Sequence, residues 1–176
     1  QSGGNYNTVI GDEAGTAITT GDNNTLIGYV AGDAISTSSA NTAVGSFAMT
    51  SMTDGADNVA VGTSALDIDT KGSHSVAIGR NALGGQNFTT ATNTNNTAVG
   101  YQAGLSVSTG QNNVIIGGLA GAANADMSGE TPLTTGNNNV LIGTKCQTGA
   151  ADADAQIAMG FECTGASNTS VTFGKS

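Results

Sequence analysis

The chain has no tryptophan, one proline, two cysteines and a single histidine, and its four lysines and arginines face thirteen aspartates and glutamates. Each scarcity closes a class of explanation. A formal net charge of −9 with so few cations disfavours binding to nucleic acids or anionic membranes, because both need clustered positive charge. Two cysteines build no disulfide framework of the kind that staples small secreted domains, and they leave the redox compartment open. The lone His74 has no serine or cysteine at a spacing that defines a nucleophilic triad, and Lys71, Arg80, Lys145 and Lys175 are scattered, so a non-enzyme is expected. No apolar run of about 20 residues is present, which gives no membrane-inserted helix in this segment. The start lacks an initiator methionine or a leader-like stretch and reads as a fragment or a mature chain.

What is abundant is glycine, with alanine, asparagine and threonine, and it is periodic. An apolar residue followed by glycine closes each copy of a repeat, as in Asn7-Thr-Val-Ile-Gly11, Asn24-Thr-Leu-Ile-Gly28, Asn41-Thr-Ala-Val-Gly45 and Asn58-Val-Ala-Val-Gly62. The motif glycines fall at 11, 28, 45, 62, 79, 100, 117, 143, 160 and 174, mostly 17 residues apart. A sustained period of this length marks stacked units, each too small to bury a core alone. Composition by itself would suggest disorder; the recurring Ile/Val column argues against it.

Aligned columns describe one unit. The residue before each glycine is apolar in every copy: Ile10, Ile27, Val44, Val61, Ile78, Val99, Ile116, Ile142, Met159 and Phe173. Two positions earlier stand Thr8, Thr25, Thr42, Val59, Val76, Thr97, Val114, Val140, Ile157 and Val171, and the spacing of two puts both columns on one face of a short strand. We expect the first column to be the buried spine. Because half the threonine column is Val or Ile, an inward or shared face is expected for it too, in place of an exposed ice-binding ladder. The column between them, Val9, Leu26, Ala43, Ala60, Ala77, Ala98, Ile115, Leu141 and Ala158, ending in Thr172, is then the opposite flank. It is also apolar, where a solvent-facing strand would be polar, so that flank is expected to be covered by a neighbouring subunit.

The period leaves room for a strand, a turn and a weaker second strand, visible in Thr16–Thr20, Asp33–Thr37 and Ser106–Thr109. Gly4, Gly21, Gly55, Gly72, Gly110 and Gly136 suit corners with positive φ. Three residues after the motif glycine only small side chains occur, Ala14, Ala31, Ala48, Ala65, Ala82, Ala103 and Ala120, then Cys146 and Cys163, which predicts a crowded interior slot. In-register neighbours there have Cα atoms about 4.8 Å apart, within disulfide range, but Cβ atoms wider than a bridge prefers; a free buried pair is expected. Asparagine heads the strand at 7, 24, 41, 58, 96, 113 and 139, with Ser75, Gln156 and Ser170 completing a column whose amides can bond up the stack.

Asn96-Thr-Ala-Val-Gly-Tyr-Gln-Ala-Gly104 and Ser75-Val-Ala-Ile-Gly-Arg-Asn-Ala82 resemble the head repeats of trimeric autotransporter adhesins, the YadA-like head, and the related shafts of phage tail fibres. The similarity runs over essentially the whole chain. It implies a left-handed parallel β-roll, three chains packed side by side as a homotrimer, and a role in attachment outside the cell, at a cell surface or on a virion.

The expected architecture is therefore an all-β parallel β-solenoid over residues 1–176, with about ten coils of about 17 residues. Two coils carry insertions, around residues 84–93 and 123–133, and insertions in solenoids become loops that often make contacts. Phe88, Met127, Glu130 and Leu133 are the candidate contacts to a receptor, a glycan or a sister subunit. The pairs Asp54/Asp57, Asp67/Asp69 and Asp152/Asp154 could offer oxygen ligands to Ca²⁺, although the glycine-rich calcium repeat is missing, so no cofactor is expected. Two other functions stay open: an extracellular filament built by end-to-end stacking, and an ice- or mineral-binding solenoid.

Overall fold

A computed structural model describes residues 3–123 and 131–174. Among them the chain is all-β, with no helix long and apolar enough to cross a membrane. Each winding contributes one three-residue strand: β1 (Thr8–Ile10), β2 (Thr25–Ile27), β3 (Thr42–Val44), β4 (Val59–Val61), β6 (Val76–Ile78), β8 (Thr97–Val99), β9 (Val114–Ile116), β10 (Val140–Ile142), β11 (Ile157–Met159) and β12 (Val171–Phe173). These ten form one parallel sheet in chain order, a solenoid of about nine turns, with each repeat position paired to its equivalent in the next coil. The expected second strands at 16–20, 33–37 and 106–109 do not form. Outside the main sheet, β5 (Gly72–Ser73) pairs with β7 (Thr92–Asn93) beside the first insertion, and Gln147 bridges Thr164.

Left-handed backbone instead precedes these segments. The second and fourth residues after most motif glycines are left-handed, as in Val30 (φ 57) with Gly32 (φ 57), Phe47 (φ 58) with Met49 (φ 53), and Ser64 (φ 53) with Leu66 (φ 52). Such alternation winds the chain into a turn directly after each strand. Intercoil hydrogen bonds persist nonetheless, for example Ala17 N–H to Asp33 O and Thr19 N–H to Ser36 O.

Glycine is required for two different reasons. The motif glycines have φ near 135°, and a Cβ on Gly62 would lie 2.6 Å from the carbonyl of Gly79 in the next coil. The corner glycines do not have the positive φ expected of them. A Cβ on Gly55 would instead sit 2.1 Å from Gly72 O, so they are needed for close approach of successive backbones.

The core inverts the expected orientation of the strands. Leu26, Ala43, Ala60, Ala77, Ala98, Ile115, Leu141 and Ala158, expected on the subunit-facing flank, are fully buried inside the solenoid. Ile10, Ile27, Val44, Val61, Ile78, Val99, Ile116, Ile142, Met159 and Phe173, expected as the spine, point outward and are half-buried or exposed. The interior is narrow, and its small column, Ala14 to Ala120 with Cys146 and Cys163, is buried as expected.

In five coils volume is exchanged between two interior columns, the strand centre and the fourth residue after the motif glycine. Leu26 and Ile115 go with Gly32 and Gly121, and a Cβ on Gly32 would lie 2.7 Å from a Leu26 methyl; Ala98 with Gly104 and Leu141 with Gln147 do not follow the exchange. Where the strand centre is Ala43, Ala60 or Ala77, that position holds Met49, Leu66 or Leu83, each fully buried. Ala60→Leu should therefore destabilise by about 1–3 kcal/mol through overpacking. Adding Leu66→Gly should recover a measurable part of the loss in a denaturant double-mutant cycle, and strict additivity would refute the exchange.

The asparagine column forms a continuous internal ladder. Asn24 N–H donates to Asn7 Oδ1 (2.8 Å), and Asn41 and Asn58 repeat the contact one coil on (3.0 and 3.1 Å). Each amide nitrogen donates to a turn carbonyl, Asn58 Nδ2 to Gly72 O (2.9 Å) and Asn113 Nδ2 to Gly136 O (3.0 Å). One short side chain thus ties the entry of its own strand to the next coil and to the turn beneath it. At Ser75, which is too short for this, Gln86 fills in: its Nε2 donates to Ser75 Oγ (2.8 Å) and its Oε1 accepts from Asn96 Nδ2 (2.8 Å). Asn113→Ala leaves Asn139 N–H and Gly136 O without these partners inside the roll. A loss of about 2–4 kcal/mol in denaturant unfolding is expected, and a loss under about 0.5 kcal/mol, the level of an ordinary surface change, would show that the ladder is incidental.

Candidate interaction face

The outer surface of the ten-stranded sheet is the most distinctive feature of the molecule. It carries two columns per strand, Thr or Val first and Ile or Val second, and no strand places a charged residue on it. The sheet spans nine strand spacings, about 43 Å at about 4.8 Å each. Ile78 and Ile116 in mid-sheet are 39% and 38% exposed, although flanked by coils on both sides. A band some 10–15 Å wide along this length covers roughly 430–650 Å², at or just beyond the top of the range a soluble monomer leaves bare.

Apolar exposure continues past the motif glycines onto the adjoining corner. Tyr29 and Phe47 meet edge to face with ring centroids 5.2 Å apart, and Tyr101 and Phe161 are exposed in the equivalent position of later coils. Sequence reasoning did not single these aromatics out. Their signal was available, since all three one-residue-after-glycine aromatics, Tyr29, Tyr101 and Phe161, stand in one column.

The insertion residues behave differently from expectation. Phe88 is buried at 6% exposure and Leu133 is fully buried, so neither is a surface contact. Phe88 folds inward because its own N–H is held by the buried Asp69 carboxylate (2.9 Å), which also accepts from Gly72 N–H and Gln86 Nε2. Leu133 sits in the core cluster beside Val107 and Leu141. Met127 and Glu130 lie outside the described residues.

The candidate calcium ligands are engaged singly. Asp54 pairs with Lys71 (3.0 Å), Asp57 lies 3.7 Å from His74, and Asp154 accepts from Asn137 N–H (2.6 Å). Burial pushes the Asp67 carboxyl above its ordinary value, against opposing hydrogen bonds from its own and the Ile68 backbone. Among the described residues, no three His, Cys, Asp or Glu side chains gather into a metal-holding group. His74 is an exposed turn residue with φ 63.

Comparison with family models, with curated proteins and with solved structures finds no match.

Proposed function

We propose that this chain is a segment of a homomeric attachment fibre, a rod displayed outside the cell or on a virion, in which sister copies cover the outer sheet face. The observation that carries this reading is the column before the motif glycines, outward-facing and apolar in all ten strands. A partner that contacts all of it must repeat its own apolar groups at the same spacing of about 4.8 Å. A second copy of the same solenoid has that repeat, whereas a helical or irregular partner does not. The resemblance to trimeric adhesin heads and fibre shafts favours three copies around one axis and a left-handed winding. Such a rod needs no catalytic group and no cofactor, and its role is to space or present contacts to a surface receptor or glycan.

The test is mass in solution. Wild-type protein at micromolar concentration should sediment at three times the chain mass. Val61→Lys/Val99→Lys should shift it to single chains that keep the β-sheet circular dichroism, because each lysine would otherwise be buried without a partner. A wild-type chain that sediments alone would end the proposal, and a mass that climbs steadily with concentration would point to end-to-end filaments.

A second reading rests on one specific observation. Thr8, Thr25, Thr42 and Thr97 share the outer face with the Ile/Val column, where an inward or shared face was expected. A regular surface of hydroxyls and methyls can order water, so a chain that proves monomeric should be tested for thermal hysteresis at millimolar concentration.

A further inference from the structure

Cys146 and Cys163 stand in the same slot of consecutive coils, and both thiols are free and fully buried. The coils are in register beside them: Gln147 bridges Thr164 in parallel, and Gln147 N–H donates to Cys163 O at 2.7 Å. The Cα atoms of the pair are therefore about one strand spacing apart, about 4.8 Å, inside the roughly 4.4–6.8 Å that a disulfide spans. Parallel side chains alone would hold the sulfurs too far apart. Here Cys146 Sγ leans toward the next coil, where it donates to Ala158 O at 3.1 Å, while Cys163 donates to Thr172 O at a longer 3.7 Å. Burial first, and the adjacent Cys163 second, push the Cys146 thiol up to about 12.

We infer that Cys146 and Cys163 are a folding-time covalent staple: in an oxidising compartment they join coil to coil before the solenoid closes over them, and afterwards the native stack shields whichever state was formed. Each thiol loses one proton and one electron, an S–S bond forms, and the two electrons reduce one glutathione-type disulfide to two thiols. The shielding follows from burial. Exchange requires a thiolate and in-line access to its sulfur; the folded slot buries both sulfurs and pushes the Cys146 thiol up. Rotation of Cys163 toward Cys146 is the adjustment that bridging needs, and its weaker hydrogen bond gives less resistance than that of Cys146. The link closes a loop of 17 residues.

The full chain, unfolded and then refolded with oxidised glutathione, should weigh 2 Da less than the reduced protein, resist alkylation in denaturant, and melt roughly 5–10 °C higher. Reduced protein that has already folded should keep both thiols through hours of exposure to the same oxidant. Cys146→Ala/Cys163→Ala, which restores the residue standing in this slot in seven other coils, should fold and show neither the mass change nor the shift. If refolding is inefficient, chains synthesised in oxidising and reducing compartments give the same comparison. Glutathione adducts or two free thiols after oxidative refolding would show that the coils hold the sulfurs too far apart. Oxidation of the folded protein as fast as of the unfolded chain would overturn the shielding.

Discussion

Stacking in strict register is the constraint on which everything else rests. A coil of 17 residues with a three-residue strand cannot bury its own backbone groups. They are satisfied by the coil above and the coil below, and the internal asparagine ladder secures the two places where the regular pattern ends, the strand entry and the turn. Because each asparagine accepts from the next coil and donates to a turn carbonyl, a slip of one residue would break both contacts at once. Register is thereby specified from inside the roll.

That constraint propagates to packing. With coil separation set by hydrogen bonding, interior volume is the remaining variable, and in five coils it is traded between the strand centre and the fourth residue after the motif glycine. Leu26 faces Gly32, while Ala60 goes with Leu66. The first insertion obeys the same rule by another route. Asp69 and Gln86 replace aliphatic residues in the column that holds Ile18, Ile35 and Met52, and they repay the polar burial by anchoring Phe88 and repairing the ladder at Ser75. A carboxylate with three donors is tolerated in such a place, where one without partners is not.

Constant register generates a repetitive outer face, and that face is where function is sought. It did not require a motif of catalytic type. It follows from ten copies of the same outward pair of residues at one spacing. The rim aromatics Tyr29, Phe47, Tyr101 and Phe161 extend the same surface around the corner, so a copy seated on the sheet would also meet them.

The repeat, the strand positions, the crowded alanine slot and the asparagine ladder were legible in the sequence, because periodicity reports directly on which residues occupy equivalent sites. Which apolar column faces inward was not, since both faces of each strand are apolar and alternation carries no sign. The asparagines held a usable clue: an amide that must satisfy turn backbone lies inside, and parity then places Leu26 inside with Asn24 and sends Thr25 and Ile27 out. Likewise, Phe88 and Leu133 read as loop contacts because insertion length says nothing of where a loop folds back. Local pattern thus determined the solenoid, its rungs and the shared slot of Cys146 and Cys163, whereas the direction of burial and the inward turn of the inserted residues depended on side-chain volume and hydrogen bonding between coils, which only the stacked chain expresses.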